Sequence, residues 1–249
     1  MAADTSPIEA APGGLTTTDR ELFDRLAWFT HVRWAFGAFS LIALLVSWYA
    51  LGLRLRMHDG TRSMFPAVRA VLIIFLYNAL FVFLGRVLRA RRQITRRLIE
   101  SMALGQFFCD LGAIAALLHY TGGVENSFVV IILVPIAIVT ELLPQGLAYA
   151  TAAVAALLLN LLAWGEQQGV LPHVSVERAG GASIYADAAR IHADPLHVFH
   201  VTGAITVTIF AIVFVASTIA ARLRAREAEL EGAHLRLRRA DEVKGFFMR

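Results

Sequence analysis

The interval Tyr120-Thr121-Gly122-Gly123-Val124-Glu125-Asn126-Ser127-Phe128 is polar and turn-forming, and it is set between two apolar runs. Upstream, 101–118 is apolar except for Gln106 and Asp110, and downstream, 128–139 is apolar except for Pro135. Two adjacent glycines give the backbone access to φ > 0, so the interval reads as a tight connection between two hydrophobic helices. Working outward, the runs free of Asp, Glu, Lys and Arg are 34–53, 70–85, 111–124, 126–140, 142–165 and 196–221. Roughly 20 apolar residues cross a hydrocarbon core, so each run reads as a membrane span. The expected fold is all-α and polytopic, with six transmembrane helices at about 32–53, 67–88, 98–118, 128–143, 146–164 and 198–221.

Composition agrees. The chain is 57% hydrophobic and 17% charged, with a mean hydropathy of +0.62, which excludes an ordinary soluble domain. Its net charge of +4 comes from Arg clustered beside the apolar runs, a pattern of membrane topology and lipid contact that does not point to nucleic acid. Cys109 is the single cysteine, so no intrachain disulfide forms, and it reads as a small residue facing lipid or a neighbouring helix.

Residues 1–18 lack a signal-peptide pattern and read as a disordered cytoplasmic tail. Thr18 and Glu21 have capping-box spacing before a short amphipathic piece expected along the interface. Trp28 and Trp34 are expected at the entrance of the first span, and Trp48 and Tyr49 at its exit. The dense cluster Arg86, Arg89, Arg91, Arg92, Arg96 and Arg97 faces the cytoplasm by the positive-inside rule. Both chain ends are then cytoplasmic, and four arginines, Arg54, Arg56, Arg62 and Arg69, are left around an outer loop, with Arg54 and Arg69 able to snorkel. Glu141-Leu142-Leu143-Pro144-Gln145-Gly146 reads as the tip of a tight hairpin, Pro135 as a kink, and 165–195 as the one sizeable outer loop.

After Ala221, Leu223, Leu230 and Leu237 recur every seven residues, with Ala233 and Ala240 at the companion position. Residues 222–249 therefore read as a parallel coiled coil joining two copies of the chain.

Gly122-Gly123-x-x-Asn126-x-Phe128 resembles the Gly-Gly-x-x-Asn-Pro-Phe heptapeptide of RegB/PrrB-type redox sensor histidine kinases, with Ser127 where the family has Pro. Arg97, Gln106 and Asp110 match the polar residues upstream of that motif. The resemblance implies a membrane sensor region in a bacterial inner membrane. Its ligand is a quinone, ubiquinone or menaquinone, near Tyr120, Gly122, Gly123, Asn126, Ser127 and Phe128. Residues 240–249 look like the lead-in to a phosphotransfer helix. The resemblance thus places the phosphoacceptor, the ATP site and the response-regulator contact in a kinase core beyond residue 249.

A quinone is a flat apolar ring with two carbonyl acceptors, so it needs aromatic walls and donors, which Tyr120, Phe128, Asn126 and Ser127 could supply. The alternative for the same residues is a plain turn, with Gly in αL and Asn as a cap. Asp110 and Gln106 lie one turn apart on one helix face near mid-bilayer, as coupling groups or as a hydrogen-bonded anchor. A small transporter or membrane enzyme using Asp110 and Glu141, and a ligand-free dimerisation anchor, are the rival readings. Asn78 and Asn160 read as interhelical polar residues. His173, His192, His197 and His200 with Asp187 and Asp194 match no zinc spacing, so no metal is expected.

Overall fold

The structure, a computed structural model, describes residues 17–91, 95–123, 126–180 and 194–247. The expected tail 1–18 lies outside them, apart from its last two residues, which are already helical. Helix α1 runs unbroken over Thr17–Tyr49. Nothing between 17 and 36 is Gly or Pro, and Phe23, Leu26 and Phe29 are buried in the main core. The separate interface helix and a first span at 32–53 are thus corrected to one helix whose apolar part is Phe23–Tyr49. Trp34 moves with that boundary. It sits 11 residues, ~16 Å, into the span, stacked on Phe75 at 5.3 Å, not at the entrance.

Helix α2 covers Phe65–Arg91 and α3 covers Arg96–Tyr120. Thr95 caps α3, its hydroxyl accepting from the Leu98 N–H. The fourth crossing differs from the expected helix at 128–143. Ser127–Ile132 is a 3₁₀ segment, and only Leu133–Leu142 is α-helix, α4. Pro135 is the third residue of α4, where its missing N–H costs nothing, so it opens a helix and does not kink one. A 3₁₀ helix rises ~2.0 Å per residue against 1.5 Å, so six residues plus ten extend ~27 Å, close to the ~30 Å a bilayer core requires.

Helix α5, Gln145–Gln167, follows after a two-residue turn with Pro144 at its N-cap, the hairpin that the sequence predicts. Helix α6 then runs over 53 residues, Pro195–Phe247, about 80 Å. Five of these helices are long and apolar enough to cross a membrane, and Phe128–Leu142 is a shorter sixth.

Two short strands tie two of the interhelical connections together. β1, Leu53–Arg56, pairs antiparallel with β2, Ser175–Arg178, in register Leu53↔Arg178 and Arg56↔Ser175. The connections after the first and fifth spans therefore share one side. Leu53 belongs to this strand and not to span one.

Most of the loop arginines are neutralised or held there. Glu177, 5% exposed, takes Arg56 at 3.0 Å and Arg62 at 3.2 Å. Arg54 donates to the Trp48 carbonyl and lies 4.4 Å over its ring. On the opposite side, Arg25 pairs with Glu141 at 3.0 Å and Arg89 with Asp24 at 2.7 Å. The first pair puts the α4–α5 turn beside the start of α1, and the second puts the end of α2 there. One cluster of buried apolar residues from α1, α3, α4, α5 and α6 makes the core.

Hydrogen bonds from Arg56 first, and then from Arg62, hold the Glu177 carboxyl below its ordinary value. A lowered folded-state value means that its stabilisation is complete above about pH 4.3, the usual Glu range, and is lost only as pH falls through the lowered value. Hydrogen exchange at 53–56 is expected to stay slow through the usual carboxylate range, to quicken below it, and to be quick at neutral pH in Glu177→Gln.

Candidate functional site

The turn after α3 has the backbone its glycines require, with Gly122 at φ 113 and Gly123 at φ 58. Asn126 caps the 3₁₀ segment. Its Oδ1 accepts from the Phe128 N–H at 2.8 Å, and its Nδ2 donates to the Thr121 hydroxyl at 2.6 Å. Gly123 has a second reason to lack a side chain. A Cβ there would lie 2.0 Å from Glu166 Oε2. The Glu166 carboxylate, at the end of α5, is bridged by His119 Nδ1 at 2.7 Å and His173 Nδ1 at 3.1 Å. The second glycine thus makes room for a buried carboxylate that joins α3, α5 and the segment leading to β2. His119 belongs to this cluster.

Beside the turn is a cavity of about 210 Å³, between the C-terminal half of α1, β1, the end of α3 and the 3₁₀ segment. Phe39, Trp48, Leu117, Thr121, Asn126 and Phe128 line it, and Ser40 and Ser47 add hydroxyls from α1. Of the residues singled out in sequence, Asn126 and Phe128 reach it. Gly122 and Gly123 shape the turn behind it, Tyr120 packs against the small cluster under β1 and β2, and the Ser127 side chain lies outside the described residues. The aromatic wall from α1 was not legible, because nothing in the sequence shows that Phe39 and Trp48 return to the end of α3.

Asp110 is buried at mid-span. Arg33 Nε donates to both its oxygens, at 2.9 Å and 2.8 Å, and the Tyr77 hydroxyl donates to Oδ1 at 2.6 Å. Arg33 is 5% exposed and Asp110 7%. One ionic centre therefore joins α1, α2 and α3. The sequence held a hint in Arg33 itself, since an intramembrane Asp requires a cationic or donor partner. Next to it, Asn78 donates to the Thr30 carbonyl at 3.0 Å, again joining α2 to α1. Gln106 is buried one turn from Asp110 but lines a different cavity, between α1, α2 and α3.

The other proposed sites do not converge. Glu141 pairs with Arg25 near the membrane surface, so it shares no pathway with Asp110. Asn160 donates to Thr206 at 3.1 Å, between α5 and α6. Asp194 caps α6 through the Leu196 N–H, and His192 and Asp187 lie outside the described residues. Leu223 and Leu230 are on the exposed surface of α6, and the Leu237 side chain lies outside the described residues.

Long apolar helices, charge pairs grouped at the two ends, and a buried Arg–Asp centre define a multi-pass membrane domain running into one extended helix. The chain belongs to the family of the PilS-like transmembrane domain, whose model matches residues 17–230. That is a six-span membrane domain of the sensor histidine kinase type. No curated protein and no solved structure matches the chain.

Asp110→Asn leaves Arg33 charged and unpaired in the core, and a loss of about 3–5 kcal/mol is expected. The double variant Arg33→Leu/Asp110→Leu removes both charges and is expected to melt closer to the wild type, as thermal unfolding in detergent would show. Gly123→Ala meets both a positive φ and the Glu166 carboxylate, so it should destabilise by more than ~1 kcal/mol by the same measurement.

Proposed function

We propose that the chain is the membrane sensor region of a histidine kinase that responds to redox state through a quinone bound in the cavity beside the 120–128 turn. The observation that carries this reading is the cavity itself. It offers aromatic walls in Phe39, Trp48 and Phe128, and donors in the Ser40 and Ser47 hydroxyls and the second N–H of the Asn126 amide, which suit a flat ring with two carbonyls. Phe39 and Phe128 are each 58% exposed, so the cavity reaches the lipid-facing surface from which an apolar ligand enters.

The route to the signalling helix is short. Phe128 and Ile131 of the cavity belong to the 3₁₀ segment, which continues into α4, and α4 packs on α6. Tightening or relaxing six residues between 3₁₀ and α geometry changes the segment length by ~3 Å, a displacement that α4 hands to α6. The exposed Leu223 and Leu230 fit a parallel coil between two copies of the chain, with both ends on the cytoplasmic, Arg-rich side of a bacterial inner membrane. ATP and the response regulator belong to the kinase part of such a protein.

A short-chain ubiquinone analogue titrated into the purified protein is expected to quench Trp48 fluorescence saturably. The quenching should vanish in Trp48→Phe, and Ala43→Phe, which fills the cavity, should weaken binding about tenfold, ~1.4 kcal/mol. Binding unchanged in Ala43→Phe would sink the reading and leave a ligand-free dimerisation anchor.

A further inference from the structure

We propose a second binding site, for an anionic phospholipid, in the cleft between α1 and α2 on the side of the membrane that carries the Arg25–Glu141 pair. A cavity of about 580 Å³ lies there. Its walls are apolar, with Phe23, Leu26 and Trp34 from α1 and Phe81 from α2, and its rim is cationic, with Arg86 and Arg89. Arg89 is held in place by Asp24 at 2.7 Å and by the Phe23 ring 5.0 Å beneath its guanidinium. Arg86 is exposed and makes no ion pair among the described residues. Two cations against one carboxylate leave the rim a net positive charge, the complement of a lipid phosphate.

Gly85 contributes to the opening of the cleft. A Cβ at that position would meet only Phe23 Cζ, at 3.8 Å, so the gap between the helices is left unfilled by α2 itself. Gln106, 1% exposed, also lines the cavity, and its Oε1 has no hydrogen-bond partner. A carboxamide in this place accepts from a hydroxyl or, turned over, donates to an ester carbonyl, so the cavity is built for more than hydrocarbon. Eleven residues of α1 separate Phe23 from Trp34 along the wall of the cavity, ~16 Å, which makes the cleft deep enough to take acyl chain below a phosphate at the rim. A free phosphate would use the rim alone and leave the aromatic walls without a partner.

The test is native mass spectrometry of the delipidated full chain with phosphatidylglycerol, phosphatidylcholine and inorganic phosphate. Phosphatidylglycerol is expected to form one retained adduct per chain that excess inorganic phosphate does not displace, and phosphatidylcholine to be retained less. Arg86→Gln should weaken the adduct about fivefold. Gly85→Ile, which fills the cleft without changing charge, should weaken it comparably, while Arg97→Gln, on the same side but outside the cavity, should not. Equal retention of the two lipids, displacement by inorganic phosphate, or undiminished binding in Gly85→Ile overturns the proposal. Because the two cleft variants act by different means, a loss confined to Arg86→Gln also overturns it, as an effect of surface charge alone.

Discussion

Inside a bilayer a lone carboxylate or guanidinium finds no water, and the contact between Arg33 and Asp110 is how this chain carries both at mid-span. Arg33 Nε bridges the two Asp110 oxygens and the Tyr77 hydroxyl completes the set, so three helices are registered by one charge pair. Dispersion alone lets apolar helices slide against one another, because lipid tails are as apolar as leucine. The ionic centre removes that freedom. With α1, α2 and α3 fixed at Arg33, Tyr77 and Asp110, the cleft around Gly85 and the cavity at the C-terminal end of α1 both have defined walls.

The two membrane surfaces are held by different means. On one side, pairs of exposed charges, Arg25–Glu141 and Arg89–Asp24, join helix ends at little net energy. On the other, the carboxylates are buried. Glu177 gathers Arg56 and Arg62 across a two-stranded sheet, and Glu166 gathers His119 and His173 under the glycine turn. The 3₁₀ segment starts on this second side, beside the glycine turn. A segment with two accessible pitches next to an apolar cavity is suited to turn occupancy into displacement.

The glycine pair shows how one motif serves two ends. Gly122 and Gly123 permit the turn, and the missing side chain of Gly123 also admits the Glu166 carboxylate. Asn126 faces both ways as well, capping the 3₁₀ segment with its oxygen while its amide nitrogen stands at the cavity wall. The plain-turn and ligand-site readings of 120–128 are for this reason compatible. The turn geometry presents Asn126 and Phe128, and the cavity is completed by residues from α1.

Hydropathy and charge by themselves determined that the chain is helical and multi-pass, where α2, α3 and α5 lie to within a few residues, and that 120–128 is a turn, because the cost of exposing backbone and charge to lipid is local and large. The boundary errors have physical causes. Charged Asp24, Arg25 and Arg33 interrupted the apolar run of α1, but a helix continues wherever its backbone hydrogen bonds are made, and in the structure those charges have partners on other elements. The 3₁₀ start of the fourth crossing was hidden because 3₁₀ and α helices draw on the same apolar residues and differ only in pitch. Which distant side chains meet was decided by tertiary structure alone. The Arg33–Asp110–Tyr77 centre, the Glu166–His119–His173 cluster, the β1–β2 pairing, and the walls that α1 lends to both cavities all depend on how helices pack, and no spacing along the chain encodes that.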